Sequence, residues 1–268
     1  MSSNTNQQER KTGLSRRKER TALGRKLDGE NMAGLLVEVE PRAFTQPGPD
    51  PMTTADRAAF FDFYTKHRSR RLFGFFKDIA RSNVNNLILS RHLARKKNVR
   101  CLLVGCSHWA NPIDLAGFVK SFNGNVSIDV AALDVLPDAL LEGIRRNVPF
   151  VPLLSPAQET PFCDESFDLL VADGLLNCCC FEQHEPIVRE MHRIARRKAI
   201  VLLGLTNSPK DRVVKWSERP IAAYCRPLES FRDLFHNCGF HFPEGSSIST
   251  PFVEGSEIAT DNCIARKQ

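Results

Sequence analysis

The sequence predicts an α/β fold in which a mostly parallel sheet is covered by helices on both faces. From residue 98 onward, short apolar runs alternate with segments of helical periodicity. The run Cys101–Val104 stops at Gly105, and Val130–Leu133 stops at Asp134, with a helical segment between them. This pattern is a β-α-β unit, whose crossover is right-handed almost without exception.

The helix inside that unit has recognisable boundaries. Asn111 can accept an amide hydrogen bond at the helix start, and Pro112 suits the first turn. Leu115 and later apolar residues recur at helical spacing until Asn123-Gly124-Asn125 ends the pattern.

The alternation continues after Asp134. Pro137 opens a second helix, a third helix runs through Ile187 into the basic run Arg193–Lys198, and a fourth covers Ser230–Cys238. Further strands are predicted at Val148–Leu154, Phe167–Val171 and Ala199–Leu205. The segment Phe240–Arg266 is predicted as two short strands joined by a Gly/Ser-rich loop.

Two segments are expected before the sheet domain at residues 98–268. Residues 1–50 are polar and expected to be mostly disordered, and residues 51–97 are predicted as two or three amphipathic helices. Thr53 with Asp56 resembles a capping box at their start. Their aromatic residues either pack into the core or form a hydrophobic lid over a substrate pocket.

The net charge of +6 is concentrated at one end of the chain. Residues 1–27 contain eight Lys or Arg and two Glu, so residues 28–268 are neutral overall. A neutral folded domain argues against a broad nucleic-acid footprint. The basic stretch at residues 10–26 is either a solvated arm or a contact for nucleic acid or an acidic membrane surface.

The nine cysteines are an odd number, and three are consecutive, at positions 178–180. No C-x-x-C pair exists, so we expect reduced, mostly buried thiols and no metal site. No apolar run can span a bilayer, and the amino-terminal residues lack a secretory apolar segment. We therefore expect a cytoplasmic location, with organelle targeting through the Arg-rich segment as the alternative.

The β-α-β unit offers two ligand groups at the edge where its strands end. Gly105 lets the backbone approach a ligand, and Asp134 can accept hydrogen bonds from a ribose diol. A dinucleotide needs a fuller glycine loop and partners for phosphate. Ser107 and Ala110 replace the later glycines here, which favours a nucleoside without phosphates.

Four segments resemble class I S-adenosylmethionine-dependent methyltransferases, and the small-molecule, ubiquinone-biosynthesis-like branch is the most similar. Residues 157–176 read AQETPFCDESFDLLVADGLL, which is similar to the LPF-x-D-x-SFD-strand segment of that family. Residues 131–140 resemble its second strand and following helix, residues 227–240 its last helix, and residues 263–267 its last strand. The resemblance covers roughly residues 97–268.

The resemblance implies a three-layer α/β/α sandwich, with a seven-stranded sheet of order 3-2-1-4-5-7-6 and strand 7 antiparallel. It also implies S-adenosylmethionine as the cofactor. The methionine and ribose part would lie on Gly105, Cys106 and Ser107, and Asp134 would hold the ribose hydroxyls. Val135, Ala157 and Gln158 would lie near the adenine, and Asp173, Gly174 and Leu175 would close the site.

Three residues depart from the family pattern D-x-G-x-G-x-G and its continuation. Leu103 stands at the usual acid, Trp109 at the third glycine, and Pro156 at the acid after strand three. An indole that filled the hollow between Gly105 and Asp134 would exclude a nucleoside. A protein that kept the fold without catalysis, as a scaffold or in another role, is therefore an alternative.

Methyl transfer requires alignment of donor and acceptor and removal of a proton from the acceptor. His108 and His184 are the candidate bases, although each is also readily explained as a structural histidine. The Asp/Asn-Pro-Pro-aromatic motif of many nucleic-acid methylators is absent after the fourth strand. We expect a small-molecule acceptor with an oxygen nucleophile, with an RNA acceptor as the alternative. The sequence leaves the oligomeric state open, and a homodimer is one option.

Overall fold

The computed structural model describes residues 72–214, 223–251 and 257–268. The expected extension at residues 1–50 and the first part of the helical segment, residues 51–71, lie outside the described residues. No helix within the described ranges is both long enough and apolar enough to cross a membrane.

Helices and strands alternate along most of the described chain. The helices are α1 Leu72–Arg81, α2 Asn83–Leu93, α3 Asn111–Phe122, α4 Pro137–Arg145, α5 Phe181–Ile194 and α6 Leu228–Asn237. The first five strands are β1 Asn98–Val104, β2 Ser127–Asp134, β3 Val151–Leu154, β4 Phe167–Asp173 and β5 Ala195–Asn207. The remaining strands are β6 Arg212–Val214, β7 Ala223–Cys225, β8 Phe240–His241, β9 Ser247–Pro251 and β10 Ala259–Lys267.

The main sheet confirms the predicted strand order. Its described strands run β3-β2-β1-β4-β5-β10-β8, and β9 pairs with β10 farther along that strand. Strands β1 to β5 are parallel, and β10 is antiparallel to β5. We call the edge where the parallel strands end the carboxyl edge and the opposite one the amino edge. Ligands of open α/β sheets bind at the carboxyl edge.

Helices cover both faces of the sheet, as the apolar strands require. On one face, alternate side chains such as Leu102 and Leu170 pack in one cluster with Ile187 of α5 and with Phe231 and Phe235 of α6. On the other face α1 packs on α3, where the rings of Phe76 and Phe118 stack with centroids 4.3 Å apart. The predicted sandwich is therefore confirmed.

Three details of the secondary structure were predicted wrongly. The basic residues after Ile194 belong to β5 and not to the end of α5, because a register shift opposite β4 accommodates them there. The Gly/Ser-rich loop contains β9, a polar strand that pairs with β10. The hairpin of β6 and β7 gave no apolar signal, since each of its strands is only three residues long.

Candidate functional site

The turn after β1 brings bare backbone to the carboxyl edge. Gly105 has φ +77°, a conformation that favours glycine. The amides of Gly105 and Cys106 both donate to the carbonyl of Leu133, at 2.9 Å, which joins the turn to β2. A Cβ at position 105 would lie 3.2 Å from Cδ1 of Leu175, so this leucine covers the glycine.

The loop from Cys106 to Asn111 is held by its own hydrogen bonds. Asn111 Nδ2 donates to the carbonyl of Cys106 at 2.7 Å, and the Ala110 amide donates to Nδ1 of His108 at 3.1 Å. Ser107 adopts a left-handed φ of +48°. Burial raises the pKa of the Cys106 thiol, so this cysteine is protonated near neutral pH. The loop is therefore held in its conformation by these hydrogen bonds, without further glycines.

Asp134 is the buried acid at the end of β2, with a relative exposure of 6%. Its Oδ2 accepts from the Ser107 amide at 2.7 Å, and its Oδ1 accepts from the Leu136 amide at 2.9 Å. Burial raises the pKa of Asp134 despite these amides, which favour the charged form. An ionised carboxylate has about four acceptor positions, and the Val135 amide also acts on this one, so acceptor capacity remains for a ribose hydroxyl.

Trp109 lies beside α4 and packs against residues of that helix. Its Cβ is 3.7 Å from where a Cβ on Gly143 would be, and the Arg146 guanidinium lies 4.3 Å from its ring centroid. Gly143 is about 9 Å along the helix axis from the start of α4, at 1.5 Å per residue. The large residue at the usual third glycine is thus accommodated in the helical layer.

The segment after β4 is fixed to the end of β5. The Gly174 amide donates to the Gly204 carbonyl at 2.9 Å. The side chain of Asp173 lies directly on Gly204, because its Oδ1 occupies the place that a Cβ at position 204 would take. Sequence reasoning missed Gly204, since a glycine within an apolar strand gives no sign of what crosses it.

Asn177 was also missed, and it organises the same segment. Its Nδ2 donates to the carbonyls of Thr206 and Tyr224, each at 3.1 Å, and its Oδ1 accepts from the Thr206 amide at 2.9 Å. The side chain is 3% exposed. Asn177 therefore connects the segment after β4 with both β5 and β7.

The loop after β3 is joined to the end of β2. The Ser155 amide donates to the Asp134 carbonyl at 3.1 Å, and Ser155 Oγ donates to the Glu159 carbonyl at 2.9 Å. Ala157 is buried and Gln158 is half-buried between these two anchors. The candidate adenine residues thus follow the acid closely, with half-buried Val135 on the other side of it.

The two candidate histidines are both buried and engaged. His108 uses its Nδ1 lone pair for the Ala110 amide, so protonation there would break that bond. His184 is fully buried in α5, with Nε2 at 2.7 Å from the Leu176 carbonyl and 3.1 Å from that of Cys179. Burial lowers the pKa of His184. His184 therefore positions the segment after β4 and does not lie at a pocket mouth.

No three His, Cys, Asp or Glu side chains in the described ranges are arranged to hold a metal ion. None of the nine cysteines, all of which lie in the described residues, forms a disulfide.

The comparisons with known proteins agree with this geometry. The family model described as a methyltransferase domain matches residues 104–203, which contain the whole candidate site. No match was found among curated proteins. The likeness to this family model is thus confined to residues 104–203, which run from the end of β1 into β5.

Several solved structures have the same fold at low sequence identity. A 1,6-didemethyltoxoflavin-N1-methyltransferase from Burkholderia thailandensis, with bound 1,6-didemethyltoxoflavin and S-adenosylhomocysteine, is 16% identical, with TM-score 0.56 over 84% of this chain and 94% of that one. A methyltransferase from Methanosarcina mazei is 16% identical, with TM-score 0.51 over 64% and 93%. A putative sarcosine dimethylglycine methyltransferase from Galdieria sulphuraria is 13% identical, with TM-score 0.51 over 69% and 83%.

Proposed function

We propose that this chain, which carries a methyltransferase domain of the class I fold, transfers a methyl group from S-adenosylmethionine to a small molecule. The observation that carries the proposal is the pairing of bare backbone at Gly105 with a buried carboxylate at Asp134. The carboxylate is fixed by two amides and retains acceptor capacity for a ribose hydroxyl. No Lys or Arg occurs in the loop from Gly105 to Asn111, which suits a ligand without phosphates.

Each group of site residues binds one part of the cofactor. Asp134 holds the ribose, Gly105, Cys106 and Ser107 hold the methionine part, and Leu175 closes over them. Val135, Ala157 and Gln158 border the adenine, and Asp173 and Gly174 close the site next to Leu175. The bound sulfonium supplies an electrophilic methyl group, so the protein has to align the acceptor and accept its proton.

The proposed acceptor is a small molecule that attacks through oxygen. The toxoflavin methyltransferase acts on a small molecule, which supports this acceptor class, although that enzyme methylates nitrogen. His108 and His184 were the sequence candidates for the base, but both ring systems are buried and hydrogen-bonded. The exposed carboxylate of Asp173, at the end of β4, is the better candidate to receive the proton.

Calorimetric titration with S-adenosylhomocysteine tests the cofactor assignment. Asp134→Asn keeps the shape but removes the charge and half of the acceptor capacity, so we expect at least a tenfold weaker affinity. Asp138→Asn is the matched control, because Asp138 is exposed in the first turn of α4, and its affinity should equal that of the wild type. Equal affinity for Asp134→Asn would remove Asp134 from the site.

A non-catalytic protein of the same fold is the second candidate. Leu103, at the usual acid position, is buried at 2% exposure and cannot bind a polar cofactor group. The same titration separates the two candidates: no heat and no thermal shift at millimolar ligand would favour the non-catalytic protein. Cell fractionation tests the proposed cytoplasmic location. Light scattering of the purified protein tests the proposed homodimer.

A further inference from the structure

The amino edge of the sheet, opposite the candidate site, collects a large share of the domain's cations. Residues 28–268 are neutral in sum, but their charges are segregated. The cations of this edge are Arg91, Arg95, Lys96, Lys97, Arg100, Arg193, Arg196, Arg197, Lys198, Arg266 and Lys267. Its carboxylates are Asp129, Asp164, Glu165, Asp168 and Glu190, the last bonded to Arg193, which leaves an excess of six positive charges over these sixteen residues.

The strand register brings these residues to one edge. Arg100 of β1 is opposite Asp129 of β2, and Arg266 of β10 is opposite Ile200 of β5. The α2–β1 connection reaches the same place, because Lys96 Nζ lies 2.7 Å from Asp168 Oδ1. The basic residues at the start of β5 are there as well, since they fall in the register shift opposite β4.

Four of the five carboxylates at this edge pair with cations of the described residues, and the fifth, Asp129, accepts a hydrogen bond from Asn98. Asp168 is 2% exposed and is bonded by both Lys96 and Arg196, the latter at 3.2 Å. Asp164 pairs with Arg193 at 2.6 Å. Arg266 is half-buried, and Lys267 is buried and lies 3.7 Å from Glu165. Six further cations are exposed and make no ion pair with any described residue. They are Arg91, Arg95, Lys97, Arg100, Arg197 and Lys198.

We propose that this basic edge binds the phosphodiester backbone of a nucleic acid, independently of its sequence. Four of the six unpaired cations are arginines, whose planar guanidinium fits phosphate in a bidentate way. Among the large apolar residues exposed in the described ranges, Ile113, Val151 and Val213 lie on elements without these cations, and Val84 and Leu87 lie on α2 before Arg91. A membrane surface that binds stably usually adds apolar insertion to its charge, so a nucleic acid fits this edge better.

The location gives the bound chain a docking role. Strand β1 is seven residues long, so the two edges are about 23 Å apart at 3.3 Å per residue. A chain held at the amino edge therefore does not present its bases to Asp134. The net charge of residues 28–268 did not reveal this surface, because carboxylates elsewhere in the domain cancel the positive charge of the amino edge.

Fluorescence anisotropy with a labelled 20-mer duplex RNA and the DNA duplex of the same sequence tests the proposal, using the full chain without cofactor. The edge variants are Arg95→Gln/Lys97→Gln and Arg197→Gln/Lys198→Gln, and the control is Lys77→Gln/Lys210→Gln. The control removes two exposed cations that lie away from the amino edge. Thermal unfolding verifies that all three variants are folded.

We expect each edge variant to bind at least tenfold more weakly than the wild type in 100 mM salt. The slope of log affinity against log salt should fall by about two, or about 0.9 per lost phosphate contact. The control should keep both the affinity and the slope. Binding of either duplex with this variant pattern supports the proposal.

Three outcomes would overturn it: edge variants that behave like the control, binding of neither duplex, or binding only to vesicles containing phosphatidylserine. Because neither cofactor nor methyl transfer enters the measurement, its outcome is independent of the proposed enzymatic function.

Discussion

The buried carboxylate of Asp168 is predicted to be a main stabilising charge of the sheet. Its Oδ2 accepts from the Arg100 amide at 3.0 Å, a bond to a charged group worth about 1.5–3 kcal/mol. The partly buried pair with Lys96 adds about 1 kcal/mol, and the pair with Arg196 at most about 0.5 kcal/mol, because the arginine is 40% exposed. Asp168→Ala should therefore lower the free energy of unfolding by about 3 kcal/mol.

Urea unfolding of two variants separates shape from charge. Asp168→Asn keeps an acceptor for the Arg100 amide and loses the ion pairs, so it should cost about half as much as Asp168→Ala. Asp138→Asn, at an exposed carboxylate in the first turn of α4, should change the free energy of unfolding by no more than about 0.5 kcal/mol. A loss below about 0.5 kcal/mol for Asp168→Ala would refute the reasoning.

The same carboxylate predicts a pH dependence. Burial alone would raise the pKa of Asp168, but the Arg100 amide, Lys96 and Arg196 outweigh it and hold this pKa below its ordinary value. A lowered folded pKa contributes stability above the unfolded pKa, which is lost as the pH falls through the folded pKa. The difference between wild type and Asp168→Asn should therefore shrink in acid. A difference that stayed constant down to pH 2 would contradict the assignment.

Burial lowers the pKa of His92 to about 4, so the unfolded chain binds a proton at a higher pH than the folded protein does. The free energy of unfolding should therefore decrease as the pH falls from 6.5 to 4, by at most about 3 kcal/mol. His92→Gln should flatten the pH dependence of the free energy from urea unfolding over that range, and an unchanged slope would contradict this. Gly239→Ala should destabilise by about 2 kcal/mol, because φ is +89° and a Cβ would lie 2.7 Å from His192 Nε2. Gly117→Ala, in α3 with open space around it, should raise the free energy of unfolding by about 1 kcal/mol. If both alanine variants change the free energy of unfolding in the same direction, this pair of predictions is wrong. Asn177→Ala should lower the free energy of unfolding by about 2–3 kcal/mol and weaken S-adenosylhomocysteine binding, whereas unchanged binding would disconnect this residue from the site.

Much of the fold could be predicted from local chemistry. The helix start at Asn111 was placed correctly, and Pro137 does open α4, because Pro in a first turn is a strong local signal. The predicted capping role of Asn111 was wrong, since its side chain bonds to the Leu72 amide and the Cys106 carbonyl instead of an amide of its own helix. The antiparallel strand β10 between β5 and β8 followed from the resemblance and not from periodicity. Polar strand β9 could not be recognised, since its partner is supplied by a distant segment.

The candidate site was predictable to a smaller extent. Gly105 and Asp134 carry their own chemical signals, and the structure brings them to one turn. The surroundings of His184 are not encoded in its neighbours, so its burial among carbonyls could not be foreseen. The path of Trp109 depends on the space left by Gly143, more than thirty residues later.

The antiparallel strand β10 lies inside the sheet, between β5 and the edge strand β8. On a ribosome, β5 is finished while residues 208–258 are still being synthesised, so one side of it has no partner during that interval. An unpaired strand of such apolar composition readily captures another chain. Nascent copies of this protein should therefore depend on chaperones until Ala259–Lys267 has emerged. Truncated copies that lack this segment should aggregate.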